Sequence, residues 1–227
     1  MNYFFKSWAW IEANAKQVVI GAGILAVAVG VASYYFWQQN QTEITAGQAL
    51  TQLLLSTPPN ADASQLVNGY LKIAADYSGT QTGGRALILG ASTLFESGNY
   101  TEAQVQFQKY LDLHPADTFS AQAALGLAAC LDAEGKTDPA AAAYQRVISG
   151  FSDPNAVAAA RFALAKINEQ QGKLAAAESL YETVARNNPN TPLGSEATFR
   201  AIQLSAKLPP ATASGTPPAS FDLNTKP

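Results

Sequence analysis

The 227-residue sequence holds one cysteine, Cys130, and one histidine, His114, and only 14% of its residues are charged. One cysteine excludes an intrachain disulfide framework, and one cysteine with one histidine cannot build a Cys/His zinc site. Runs of Lys or Arg are missing and the formal net charge is -3, so the basic footprint of a nucleic-acid binder is absent. The carboxylates are scattered over positions that read as solvent-facing on helices, and no nucleophile and base pair stands out. "GTQTGG" at 79–84 lacks the Lys-Ser/Thr that completes a phosphate loop and reads as a turn between helices. The chain is therefore not expected to be an enzyme or to hold a metal or cofactor. Cys130, in the apolar run "LGLAACLDA", is expected to pack as a small hydrophobe. His114 precedes Pro115, where it can meet the last carbonyls of a helix and its negative dipole end.

What is abundant is apolar surface, 48% of the residues, and part of it is one block. Residues 18–37, "VVIGAGILAVAVGVASYYFW", are uncharged. As a helix rising about 1.5 Å per residue they span roughly 30 Å, the thickness of a bilayer's hydrocarbon core. Tyr34, Tyr35, Phe36 and Trp37 close the run as an interfacial belt would. Lys6 and Lys16 precede it, and the next basic residue is Lys72, so the positive-inside rule predicts a cytoplasmic amino terminus. A cleaved signal peptide, cut after Ala32, is the alternative. Ala22, Ala26 and Gly30 recur every fourth residue and could admit a second membrane helix, although the segment is rich in small residues throughout. Ahead of the run, Phe4, Trp8, Ile11 and Ala15 share one helical face, which suits an interfacial lead over 1–17 or a continuation of the span.

Beyond the span the sequence repeats itself. Gly98, Ala103, Phe107 and Tyr110 recur 37 residues later as Gly135, Ala140, Tyr144 and Val147, and again as Gly172, Ala177, Tyr181 and Val184. In each copy a first helix runs into the glycine, which tolerates the left-handed conformation found just past a helix end. In the second helix, the alanine permits close approach and the aromatic on the same face anchors the packing. One step earlier, Tyr70 and Ile73 mark a degenerate unit, with "EITAGQALTQLLLS" as its first helix. One step later, "GSEATFRAIQLSAK" is a first-type helix with no second, as the end of a repeat array requires.

"GNYTEAQVQFQKYLDLHP" and "GKLAAAESLYETVARNNP" resemble the tetratricopeptide repeat in their glycine, alanine, aromatic and closing proline. The period of 37 exceeds the usual 34 residues, and the middle unit carries Pro154 where the closing proline would come two residues earlier. The resemblance implies an all-α fold: an N-terminal transmembrane helix, then a solenoid of antiparallel helix pairs over 38–207 with a C-terminal capping helix. The layout of "WIEANAKQ", one span, and "WQQNQTEITAGQAL" entering the array is similar to the YfgM-type ancillary subunits of the bacterial Sec translocon. That likeness implies a single-pass inner-membrane protein with a periplasmic domain that links the Sec channel to periplasmic chaperones or emerging polypeptides. A structural adaptor in cell-envelope assembly, similar to the Tol-Pal-associated or outer-membrane-assembly tetratricopeptide proteins, is the alternative.

The family's groove positions fall on Arg85, Ile88, Ser92 and Phe95, then Leu125, Ala129 and Asp132, then Phe162, Lys166 and Glu169. They lack the Lys/Arg and Asn cluster of tetratricopeptide domains that clamp a terminal carboxylate. Their mixture of apolar residues and single charges suits an unfolded segment or a partner helix, though Ile88, Leu125 and Phe162 can equally serve packing between helices. Residues 208–227, "LPPATASGTPPASFDLNTKP", are proline-rich and aperiodic, and are expected to be a disordered tail.

Overall fold

The computed structural model describes residues 14–58 and 62–208. The interfacial lead up to residue 13 and the proline-rich tail from residue 209 lie outside the described residues. Among the described residues the regular structure is helical, in nine helices: α1 (Ala15–Ser56), α2 (Ala63–Asp76), α3 (Gln81–Glu96), α4 (Tyr100–Leu113), α5 (Ser120–Ala133), α6 (Thr137–Gly150), α7 (Pro154–Gln170), α8 (Leu174–Asn187) and α9 (Pro192–Ser205). Two compact units, Met1–Cys130 and Leu131–Pro227, divide the chain within α5.

The apolar segment and the first helix of the degenerate unit are one element. α1 runs 42 residues without a break, because no Gly or Pro falls between residues 31 and 46 and "QQNQT" continues the helix. Its membrane-length portion leaves Ile20, Ile24, Leu25, Val27 and Trp37 exposed, whereas Ala46 and Leu50 near its end are buried. There α1 packs on α2 and α3. Glu43 seals that contact: its carboxylate accepts from the backbone N–H of Gln81 at 2.8 Å and of Thr82 at 2.9 Å, and from the Thr82 hydroxyl at 2.6 Å. A carboxylate at a helix N-terminus satisfies orphan donors and meets the positive end of the dipole.

Each first helix ends in the same corner. Gly98, Gly135 and Gly172 have φ of 79°, 74° and 73°, and the following residues Asn99, Lys136 and Lys173 donate back to Leu94, Leu131 and Asn168. That bond, closing six residues on a left-handed glycine, satisfies carbonyls the helix leaves free. The second helices then bury Ala103, Ala140 and Ala177 completely, with Phe107, Tyr144 and Tyr181 at 3%, 3% and 0% exposure. Tyr70 holds the equivalent place in the first unit's core, with Val67, Leu87, Leu94 and Tyr110. In the second unit Ala177, Tyr181 and Val184 pack on Ala165, Ala197, Ala201 and Leu204.

The reading of "GTQTGG" as a turn between helices holds for Gly79 and Thr80 and not for the four residues after them. Thr80 caps α3 by accepting from Gly83 N–H at 2.9 Å, so Gln81–Gly84 already belong to the helix. Gly83 is required by proximity: a Cβ there would lie 2.0 Å from the Tyr77 carbonyl oxygen. Thr191 and Gly194 repeat the device, with a Cβ at Gly194 falling 1.8 Å from the Asn188 carbonyl oxygen. The turn after α4 is longer and is held by side chains. The Tyr110 hydroxyl donates to Asp117 Oδ2 at 3.2 Å, the His114 Nδ1 lies 3.7 Å from the same oxygen, and the Tyr110 and His114 rings are 4.8 Å apart. Cys130 is fully buried in the first unit's core.

Gly135→Ala places a Cβ in a left-handed conformation and is expected to cost about 1–2 kcal/mol. Tyr144→Ala removes a buried anchor and is expected to cost about 3–5 kcal/mol. Lys166→Ala, on an exposed site, should stay within about 0.5 kcal/mol. Urea denaturation of the three variants checks the order, and equal small effects would show the repeat register to be wrong. A pH test reads the longer turn. Burial first, then the Asp117 charge and hydrogen bond, push the Tyr110 phenol up to about 12, against about 10 in an unfolded chain. The unfolded state therefore ionises first as pH rises, so this contribution is complete below pH about 10 and is lost towards pH about 12. The urea midpoint of the parent should fall more steeply over that window than that of Tyr110→Phe.

Candidate functional site

In the first unit, α3, α4 and α5 enclose an apolar cavity of about 240 Å³, lined by Ser92, Phe95, Glu96, Phe107, Gln122, Leu125, Gly126 and Ala129. Phe107 forms its floor. A Cβ on Gly126 would come within 2.5 Å of the Phe107 ring, so the ring lies flush against α5 only because residue 126 has no side chain. Phe95 is half-buried and its ring lies 5.2 Å from that of Tyr100, which fixes one wall. Leu125 and Ala129 are half-buried one turn apart on α5. Glu96 and Gln122 are exposed and give the cavity one carboxylate and one amide. Such a site can seat an apolar side chain and meet a backbone polar group beside it; among its lining residues Ser92 is the one hydroxyl, and no histidine, lysine or second carboxylate accompanies Glu96.

Four of the ten groove positions read from the sequence, Ser92, Phe95, Leu125 and Ala129, come together here. Arg85 and Asp132 are exposed on α3 and α5 outside this lining. Ile88 is 3% exposed in the core and serves packing, because a first helix needs an apolar residue facing its own second helix. In the second unit Phe162 is half-buried and its ring meets Tyr181 edge-on at 5.2 Å. Lys166 is exposed. Glu169 is not a free groove charge: it accepts from the Tyr181 hydroxyl at 3.1 Å and lies 3.9 Å from Arg200. Burial and then the bond to Glu169 raise the Tyr181 phenol above the ordinary tyrosine range. The sequence reading missed Glu96, Gln122 and Gly126. Gln122, Leu125, Gly126 and Ala129 share one face of α5 at the spacing i, i+3, i+4, i+7, which is the signal that would have found two of them.

Ala22, Ala26 and Gly30 are exposed along α1. This helix is long and apolar enough to cross a membrane, with a mean hydropathy of 2.0 over its most apolar 18 residues. Among the described residues no cluster of three or more His, Cys, Asp or Glu could hold a metal ion.

Three solved structures are similar to part of the chain. SycD, a type III secretion translocator chaperone of Yersinia enterocolitica solved with a peptide of the translocator YopD, is 26% identical with a TM-score of 0.47, covering 54% of this chain and 92% of its own. PcrH from Pseudomonas aeruginosa is 22% identical with a TM-score of 0.46, covering 55% and 93%. BtubC from P. vanneervenii is 16% identical with a TM-score of 0.47, covering 74% and 66%. No match was found among curated proteins. Residues 131–192 match a tetratricopeptide repeat family and residues 8–149 the tetratricopeptide repeat-like domain. With most of its length under that second match, and its helix pairs, glycine corners and alanine–aromatic anchors in the same register, the chain belongs to the tetratricopeptide repeat-like domain family, a helical scaffold for binding other proteins.

Proposed function

We propose that the chain is a single-pass protein of the bacterial inner membrane, anchored by residues 18–37 with residues 1–17 on the cytoplasmic side. Its periplasmic array, residues 38–207, acts as a translocon accessory that links the Sec channel to periplasmic chaperones or emerging polypeptides. The observation that carries this reading is the continuity of α1 from the apolar segment into the array, together with the Glu43 bonds to the start of α3. A flexible linker would let an interaction domain search the periplasm, whereas a continuous helix keeps it beside whatever the span meets in the bilayer. The lysine asymmetry, Lys6 and Lys16 before the span and none until Lys72 after it, supports the orientation. The layout similar to YfgM-type subunits supports the translocon assignment.

The groove contributes through chemistry. Phe95, Leu125 and Ala129, with Ser92 and Glu96 at hand, offer an apolar anchor site with little charge selectivity, which suits polypeptides of varied sequence. Arg85 in the first unit, and Asp132 and Lys166 in the second, are read as polar contacts each within its own unit.

Brief crosslinking and co-purification of the full-length protein from native membranes tests the assignment, with a variant carrying an unrelated span as control. Recovery of the Sec channel, lost on exchanging the span, is the expected result. Recovery of outer-membrane or envelope assembly factors alone, unchanged by the exchange, would replace this reading with the envelope adaptor. Leu125→Glu puts a charge into the cavity and should reduce crosslinks to emerging polypeptides by about tenfold, the effect of roughly 1.4 kcal/mol, while leaving recovery of the channel intact.

A further inference from the structure

A second cavity, of about 300 Å³, lies where the apolar half of α1 gives way to its polar half. Tyr35, Gln38, Gln39 and Thr42 form one wall, at the spacing i, i+3, i+4, i+7 that sets them on one face of α1. Residues 76–80, the end of α2 and the turn into α3, form the other. Both walls belong to the first unit, and Glu43, next to Thr42, bonds to the start of α3, which holds them at a set distance. Among the lining residues Asp76 is the one charged group. It stands in the last turn of α2, which carries no basic residue, so a carboxylate meets the negative end of a helix dipole. Lys72 donates to Asp76 Oδ2 at 2.9 Å, but the two side chains are 75% and 51% exposed, and water weakens a pair so placed. A cation entering the cavity would relieve that excess of negative charge. Gly79 has no positive φ, and a Cβ on it would meet nothing within 4 Å. Neither the turn nor a neighbour calls for glycine there, and its bare backbone leaves room for a ligand to approach.

We propose that this cavity binds the headgroup of a phospholipid that bears a primary ammonium, the ethanolamine class. The inference rests on the reading of residues 18–37 as a membrane span and adds a lipid site to it. Position favours this occupant. Thr42 lies five residues past Trp37, about 7.5 Å along a helix near the bilayer normal, and the headgroup layer extends roughly 5–7.5 Å beyond the hydrocarbon on each side. Tyr35 lies within the apolar run, so the cavity opens from the edge of the hydrocarbon into the headgroup layer. The exposed Val27 and Val31 of α1 give acyl chains an apolar surface to lie along. Chemistry then selects the headgroup. An ammonium with three N–H donors can bond to Asp76 and to the carbonyls that α2 leaves free at its end, whereas a choline head has no N–H to give. The Gln38 and Gln39 amides and the Ser78 hydroxyl can donate to the phosphate beside it. A wholly anionic head such as phosphoglycerol would bring its charge to Asp76 with no ammonium to offset it.

The full-length protein, purified in detergent, is titrated with dioleoyl phosphatidylethanolamine, phosphatidylcholine or phosphatidylglycerol, and bound lipid is counted by native mass spectrometry. The ethanolamine lipid is expected to bind at about a tenth of the concentration that the other two require, the weight of a charge-assisted hydrogen bond. Asp76→Asn, which removes the charge, and Gly79→Leu, which fills the cavity, should each raise that concentration about tenfold. Both sites are exposed, so unchanged urea midpoints show that folding is intact. Equal retention of the three lipids, preference for the choline or glycerol head, or retention indifferent to both substitutions overturns the proposal, the lipid then being held by the surface of the span alone. Extraction of native membranes with alkaline carbonate reads the span separately. A chain that stays in the membrane but shows no ethanolamine preference sinks the headgroup site and leaves the anchor, whereas a chain released by carbonate sinks both. Leu125→Glu, in the cavity of α3, α4 and α5, should leave lipid retention unchanged.

Discussion

In three of the four second helices, α4, α6 and α8, an aromatic ring follows four residues after an alanine with no exposed surface, and close stacking there needs both conditions together. The alanine lets two backbones come close, and the ring then fills the wedge that close approach leaves between neighbouring first helices. Phe107 shows how tight this is, since its ring occupies the volume that any side chain at residue 126 would need. Tyr181 shows the polar version, in which the ring packs on Phe162 and the hydroxyl must still reach Glu169. A buried phenol without that partner would carry the full cost of desolvation. Burying one such ring contributes about 1.5–3 kcal/mol, comparable to a large part of a domain's net stability, so the repeat register and the stability of the array are the same fact.

The path of the chain follows from how helix ends are satisfied. Three glycine corners turn first helices into second helices, and threonine or aspartate caps at Thr80, Asp153 and Thr191 start the next first helices. Glu43 does for α3 from a distance what a local cap does from the preceding turn, and in doing so locks α1 to the repeats. The helix that is long and apolar enough to cross a membrane is thereby the helix on which the array begins. The apolar half of α1 and the first repeats are joined by a continuous backbone and three short hydrogen bonds.

Much of this was legible in the sequence because it is periodic. Gly98, Gly135 and Gly172, with their alanines and aromatics, identify themselves by repetition, and repetition does not depend on knowing what each residue touches. What escaped was specified by single contacts. Gln81–Gly84 look like a loop because two glycines and two threonines are turn formers. Only the approach of the Tyr77 carbonyl explains a glycine inside the first turn of α3. The continuity of α1 was hidden by the aromatic cluster at 34–37, which closes the apolar run without ending the helix. The cavity was half legible: Phe95, Leu125 and Ala129 follow from register, whereas Glu96 and Gln122 are positions at which polar residues look like ordinary surface.

The first helices also have to serve two masters with one row of residues. At successive repeats the position held by Ile88, Leu125, Phe162 and Phe199 passes from 3% exposed, through two half-buried residues, to 56% exposed. The side chain is large and apolar throughout, so the change lies in how much of it the neighbouring helices claim. Where they claim all of it, as at Ile88, the residue belongs to the core. Where they leave part, as at Leu125, the remainder can meet another polypeptide without any loss of internal packing. Because the cavity lining holds one carboxylate among mostly apolar neighbours, the association proposed for it would draw on apolar burial more than on charge. Such binding is set by how well an anchor fits and is little altered by ionic strength, since screening acts on exposed charges and leaves apolar contact largely untouched.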